Sequence, residues 1–546
     1  MTLARARWLL LGMAAAILVG HTLVYGFVTD DAYISFVFAR NFAEHGQLAF
    51  NLGQPVEGYT NFLWTVILGA LMVLGISPEA SSQVLGIACA LGTLWFAFRV
   101  VERALGRPSL WACVSPLLLA CSSGFACWTS GGLETQLFTV LVAAALDGFV
   151  AAAATPEAEG RALRRMAICL ALAAMTRPEG VLIAAVLGAA RYLQLVLGRR
   201  WLPGRAELAC AAWFLALWGP WFAWRWHYYG YPFPNTYYVK ASGPWQSEGM
   251  AAEMRAHGLY YIWAWLWQTK LVVALPVALV GLAAARPSKV PARFALTSAC
   301  ALMLLVYVPY AISVGGDFMG LHRFIMPLFV VAAIAVALGL EWLSGLLPNT
   351  NRVMAGAVAA TLVVVGFGVS QVLLTRESLR PDNLGADHGV IDTPAFLILY
   401  TEDRAAIGRA MAPCFHDDDF SIVGGAGAQP YFGHMRAIDV FGLVSEKIAH
   451  DEPRIRARAG HTKFASPQVL ASYDPTFVFS CYALHAKPGA PPMGNSWQSP
   501  CDAGFWSRLG YEELTMRIPG ARQFGEYYTF WAKKSRAFTC PGLVRP

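Results

Sequence analysis

Long apolar runs alternate with short polar loops along the first two-thirds of the chain. They cover residues 8–28, 83–98, 109–127, 134–154, 207–226, 294–314, 324–342 and 353–374. Most approach the roughly 20 residues that a helix needs to cross a hydrocarbon core, so they predict transmembrane helices. Two stretches differ. Residues 62–75 (FLWTVILGALMVLG) are apolar but short, and residues 259–269 (LYYIWAWLWQT) are crowded with Trp and Tyr. Both are expected to be helices lying on the outer membrane interface, where aromatic rings favour the headgroup depth. From about residue 375 the pattern changes to short alternating runs between Pro and Gly turns. Residues 476–480 (TFVFS) and 527–532 (YYTFWA) predict strands. This tail is long enough for one compact domain.

Loop charge orients the bundle, because short cytosolic loops collect Lys and Arg. The clusters Arg5/Arg7, Arg99/Arg103/Arg107, Arg161/Arg164/Arg165, Arg199/Arg200/Arg205, Arg286/Lys289/Arg293 and Arg352 are therefore expected in the cytosol. The loops at 29–82, 128–133, 176–180, 227–269 and 315–323, and the tail, then face outward. About eleven helices satisfy this alternation, with the N-terminus cytosolic and the tail extracytoplasmic. The expected division is a transmembrane module over 1–374 and a soluble α/β domain over 375–546. The first apolar run is too long for a signal-peptide core and lacks a small-x-small cleavage site, so it is expected to stay as a helix.

Composition agrees. Only 14% of residues are charged and 57% are hydrophobic, against about 25% charged in soluble domains. The net charge of +7 sits in helix-orienting loops and forms no basic stripe, which excludes a nucleic-acid partner. There is no Walker loop, GxGxxG or CxxC, so nothing suggests a nucleotide site. The tail holds Cys414, Cys481, Cys501 and Cys540. In an oxidising compartment one or two disulfides are expected, with three pairings open.

The chemistry gathers in the outward loops. Asp30-Asp31 follows the first helix directly, and a carboxylate pair at a membrane boundary is costly to desolvate. Adjacent like charges raise a pKa, which suits a general base; the pair also suits a divalent cation. The plainer alternative is that one of them caps the helix starting near Tyr33. Further along the loop, Glu57, Tyr59 and Asn61 mix acid, aromatic and amide as sugar binding requires. Glu134, in Ser130–Thr135, and Asn235 and Tyr237, in Pro234–Tyr238, extend that set. Glu134 could equally serve its helix N-terminus. Arg177, in TRPEG, is either a bundle fastener with Glu179 or a phosphate ligand. Lys240, His322 and Arg323 are candidates to hold a phosphate, with Asp317 beside them in GGDFMGLHRF.

The string DDAYISFVFARNFAEHGQLAFNLGQPVEGYTNFLW resembles the first periplasmic loop of the arabinofuranosyltransferase-like branch of the GT-C glycosyltransferases. SGGLET, TRPEG, YYGYPFPNTYYVK, GGDFMGLHRF and the tail segment GGAGAQPYFGHMRAIDVFGLV are similar to that branch, in a suitable order. The resemblance implies a mainly α, polytopic GT-C bundle in the bacterial inner membrane. It implies a polyprenyl-phosphate-sugar donor, a glycan or lipid acceptor, and inversion by single displacement. The essential acid would be Asp30 or Asp31, and the donor phosphate would fall to Lys240, His322 and Arg323. Two other classes compete. A lipid-linked sugar transporter would line a path through the bundle with ionisable residues and broken helices, whereas these acids cluster at one face. A non-catalytic glycan-binding scaffold would leave the carboxylate pair without a purpose.

Overall fold

In the computed structural model the described residues are 2–544, except 241–242, 284–290, 384–385, 388–390, 481–483, 490–502 and 523. Among them, eight helices are long and apolar enough to cross a membrane. They are Leu3–Tyr25, Pro78–Leu105, Thr135–Ala154, Glu179–Leu197, Arg205–Tyr229, Pro291–Ser313, Arg323–Ser344 and Met354–Ser378. Two bent pairs raise the number to as many as ten. Leu110–Cys121 meets Ser123–Ser130 at 62°, and Glu248–Gln268 meets Leu271–Ala283 at 88°. The apolar run at 109–127 is thus broken near Ser122, whose side chain caps the second piece.

The aromatic stretch 259–269 is the second half of the 21-residue helix Glu248–Gln268 rather than a separate segment. The other short stretch forms the helix Phe62–Val73. At 12 residues it is about 18 Å long, well short of a hydrocarbon core. It packs on the helix Asp30–His45, where Gly69 lets it approach Phe42 and Ala39.

Among the described residues the tail builds nine short strands. β1 (Ala386–Asp387) and β2 (Ile391–Asp392) pair with each other. The rest are β3 (Phe420–Val423), β4 (Arg436–Asp439), β5 (Phe477–Val478), β6 (Leu484–His485), β7 (Tyr511–Arg517), β8 (Tyr527–Lys533) and β9 (Leu543–Val544). They form one sheet in the order β4-β3-β5-β8-β7-β9, with β6 also on β8. β3 is parallel to β4 and β5, and the other pairs are antiparallel. The expected strands TFVFS and YYTFWA are β5 and β8, and they pair directly. Cys414 and Cys540 form a disulfide across 126 residues. Cys481 and Cys501 lie outside the described residues.

The hydrophobic core does not stop at residue 374. Ile34, Val37, Phe38, Phe50 and Tyr59 of the first loop share one buried cluster with Ile407, Met411, Val423, Phe477 and Phe479 of the tail. The first loop therefore folds as part of the tail's core, and this places Asp30 against the loop that follows β3.

Candidate active site

The helix Asp30–His45 starts at Asp30 itself, with Thr29 as its N-cap. Neither acid is the cap; both lie in the first turn, where the helix dipole favours negative charge. The Thr29 N–H donates to Gly131 O at 3.1 Å. Gly132, at φ +80°, lies against Val28 and Ala32. The SGGLET turn thus braces the DDAY turn from behind.

Asp30 is buried, and its Oδ1 accepts the Ala428 N–H at 2.8 Å. The glycine loop Gly424–Gly427 of the tail wraps it. A Cβ on Gly427 would lie 2.1 Å from the Asp30 backbone O and 2.4 Å from its Oδ2, and one on Gly425 would lie 3.0 Å from Oδ2. Gly427→Ala must therefore displace Asp30. A 1 Å shift of a reacting group costs about 10²-fold, so activity per folded molecule is expected to fall at least that much, and the melting temperature to fall with it because backbone must move. Turnover per folded molecule checks this.

Asp30 and Asp31 lie on the wall of a cavity of about 330 Å³. Beside Asp30 stands Arg404, sandwiched between the rings of Tyr400 (4.9 Å) and Tyr528 (5.7 Å). Its guanidinium donates to Tyr528 Oη at 3.2 Å and to Gln429 at 3.3 Å. Beyond it, Arg456, Arg458 and Asp392 line the wall, with Arg458 donating to Asp392 at 2.6 Å. Phe318, Phe441, Phe464 and Phe479 supply apolar surface.

The two acids see different fields. Burial pushes Asp30 up to about 7, against the Ala428 N–H and with help from Asp31. Burial also raises Asp31, which Lys240 and Arg323 oppose. Lys240 is lowered by burial, with Asp31 and Asp317 pulling the other way. Folded Asp30 keeps its proton to about pH 7, whereas an unfolded Asp loses it near pH 4. The native state binds the extra proton in that window, so this group's contribution to stability falls as pH rises through it and is flat above. A base must be ionised, so activity is expected to climb to a plateau above about pH 7. A log kcat/KM profile flat from pH 5 to 8 would contradict this.

The remaining predicted residues fall elsewhere. Glu57, Tyr59, Asn61, Glu134, Asn235 and Tyr237 are not among the residues lining the cavity. Glu57 is ion-paired to buried Arg225 at 2.7 Å, and Tyr59 Oη bonds Tyr229 Oη at 2.9 Å. Asn61 spans Ser35 and Glu134. The Asn235 amide donates to Gly442 O and Leu443 O, fastening its loop to the tail. Tyr237 is exposed and its ring tilts at 31° against Phe233, 4.4 Å away. The polar groups of Glu57, Tyr59, Asn61, Glu134 and Asn235 are buried and meet protein partners.

Arg177 is buried between Glu134 (2.7 Å) and Glu179 (3.1 Å), which is the fastener alternative. Burial alone would raise Glu134, but Arg177, Arg323 and the Asn61 amide outweigh it and hold the carboxyl low. Arg323 pairs with Asp317 at 3.0 Å, and its charge reaches Asp31. His322 is enclosed. It is 2% exposed, its Nε2 is bonded to Gln268 Oε1 at 2.8 Å, and burial pushes its pKa down to about 3. It is neutral at ordinary pH and offers no charge to a phosphate. Arg404, Arg456 and Arg458 are the cations that the sequence reading missed. Residues 454–458 read RIRAR, and alternate positions of an extended chain share one face; that period was the available signal.

Among the described residues, no three His, Cys, Asp or Glu side chains gather to hold a metal ion. The two carboxylates could hold one only with ligands from elsewhere.

No protein-family model and no curated protein sequence matches the chain. Solved structures that are similar in fold include two of one protein. One is ArnT from Cupriavidus metallidurans bound to undecaprenyl phosphate, at 12% identity and TM-score 0.58, covering 96% of this chain and 97% of that one. The other is the same protein in the apo state, at 13% identity and TM-score 0.54, covering 97% and 99%. The chain therefore has the fold of ArnT over nearly its whole length.

Proposed function

We propose that the protein is a GT-C-type membrane glycosyltransferase that moves a sugar from a polyprenyl-phosphate donor to a cell-envelope glycan or lipid. The observation that carries this is the paired carboxylate on the wall of a cavity of about 330 Å³ that Arg404, Arg456 and Arg458 also line, with Lys240 and Arg323 acting on Asp31. Asp31 faces Lys240 and Arg323, and Asp30 faces Arg404. One carboxylate takes the proton from the acceptor hydroxyl. The freed oxygen bonds the anomeric carbon as the bond from that carbon to the phosphate oxygen breaks. The departing polyprenyl phosphate is stabilised by the guanidiniums and Lys240. One displacement inverts the anomeric centre, as the GT-C resemblance implies.

A second cavity supports a lipid carrier. It is an apolar groove of about 420 Å³ between the helices Leu271–Ala283, Arg323–Ser344 and Met354–Ser378. Thr269 and Lys270 lie at its edge. The adjoining Gln268 bonds His322, the neighbour of Arg323. A hydrocarbon chain in this groove would leave its phosphate near the cations that act on Asp31. The fold shared with a protein solved with undecaprenyl phosphate agrees.

The donor sugar follows from the test. Purified protein in nanodiscs is incubated with polyprenyl-phosphate sugars, including an arabinofuranose donor, with and without EDTA. Release of polyprenyl phosphate that requires Asp30 and Asp31 establishes transfer and names the donor. Loss with EDTA adds a cation at that pair. No release with any donor, together with donor movement between leaflets, would instead make the protein a transporter.

A further inference from the structure

The end of the bundle opposite the carboxylate pair carries a second charged cluster that the proposed reaction does not use. The helix Leu3–Tyr25 joins the two ends; at 1.5 Å per residue, Arg7 lies roughly 27 Å from Tyr25. There, ion pairs link six arginines to three carboxylates. Arg7 pairs with Glu102. Arg99, Arg103 and Arg165 surround Asp147. Arg107 and Arg293 share Glu341. Every acid is satisfied and three positive charges remain.

The surplus is concentrated at Asp147, whose side chain is 2% exposed. Arg103 Nε donates to it at 2.8 Å. Arg99 and Arg165 approach its other oxygen at only 3.5 and 3.7 Å, as ion pairs rather than hydrogen bonds, and their side chains are 27% and 53% exposed. One buried acid thus draws two further, partly exposed guanidiniums to the same oxygen. Tryptophans mark the depth. Trp8 stacks on Trp95 at 5.8 Å, Arg99 lies 5.8 Å from the Trp95 ring, and Arg164 lies 5.9 Å from the Trp213 ring. Indole rings favour the headgroup level of a bilayer. An anion at that depth, beside lipid-facing helices, is a phospholipid phosphate.

We propose that Arg99 and Arg165, held together by Asp147, bind the phosphodiester of an anionic phospholipid headgroup. Arg103 neutralises the buried carboxylate and leaves the other two arginines for the lipid. Forked guanidiniums suit phosphate oxygens, and zwitterionic headgroups gain less because their own cation opposes the site.

The test is native mass spectrometry of the full chain, eluted from detergent with phosphatidylglycerol or with phosphatidylcholine of the same acyl chains. Wild type is expected to retain phosphatidylglycerol preferentially. A basic residue near an anionic headgroup contributes about fivefold. Arg165→Gln should thus lower retention about fivefold and Arg99→Gln/Arg165→Gln about 25-fold, with Arg165→Lys partly restoring it. Inorganic phosphate at matched concentration should not displace the lipid, whereas displacement would assign the site to free anions and overturn the proposal. So would a wild type without lipid preference, or a double variant that retains phosphatidylglycerol like wild type. The Arg103–Asp147 bond survives in both variants, so melting temperatures in phosphatidylcholine should match wild type and exclude misfolding.

Discussion

Asp30→Asn and Asp31→Asn should each lower sugar transfer about 10²–10⁴-fold, the usual range for a lost general base, with the fold retained. Asn is the same size as Asp, and its carbonyl can still accept the Ala428 N–H that fixes Asp30. It also sits between Gly425 and Gly427 without new contacts. Burial opposes the ionised form at both positions, so the neutral amide should not destabilise the protein above pH 7. The variants should differ in one respect. Asp31 is the acid that Lys240 and Arg323 act on, so removing its charge should free those cations for an anionic donor and lower KM as kcat falls. Asp30→Asn should change kcat with KM near wild type. Steady-state kinetics on folded, monodisperse protein reads both, and wild-type turnover in both variants would end the transferase reading.

Arg177→Met should cost about 3–5 kcal/mol, the range for breaking a buried ion pair from one side. The loss leaves Glu134 and Glu179 without the cation between them. Glu134 also receives the Asn61 amide at 2.8 Å, so the disturbance reaches the first loop. A lowered melting temperature in detergent and a poor yield are expected, with the donor KM of the surviving molecules near wild type. A variant of normal stability whose donor KM rises tenfold or more would return Arg177 to the phosphate-binding role.

The predicted site shows where sequence reasoning works and where it stops. Asp30, Asp31 and the cationic neighbours of Asp31 stood out because charge next to long apolar runs is rare and costly. Glu57, Asn61 and Asn235 stood out as an acid and amides among aromatics, yet their partners are Arg225, Glu134 and the backbone at Gly442. A polar residue in a membrane protein looks alike in sequence whether it meets a ligand or another buried group. Arg225 lies 168 positions from Glu57, and no local pattern joins them. The tail's contribution was hidden differently. Tyr400, Arg404, Arg456 and Arg458 occur in a soluble-looking stretch where charge is ordinary, and only the tertiary fold brings them to the cavity that Asp30 and Asp31 line.

The division of polar from apolar segments follows from local sequence, because lipid requires every spanning segment to satisfy its own backbone, whereas the helix number does not: about eleven were expected, and the described residues hold eight to ten spans because two apolar stretches bend into pairs. The strands TFVFS and YYTFWA and the position of the carboxylate pair were equally local. The tertiary structure alone decided that the first loop belongs to the tail's core, that Cys414 pairs with Cys540, and that His322 is buried and neutral. Each depends on contacts between distant segments, and such contacts set burial, and burial sets charge.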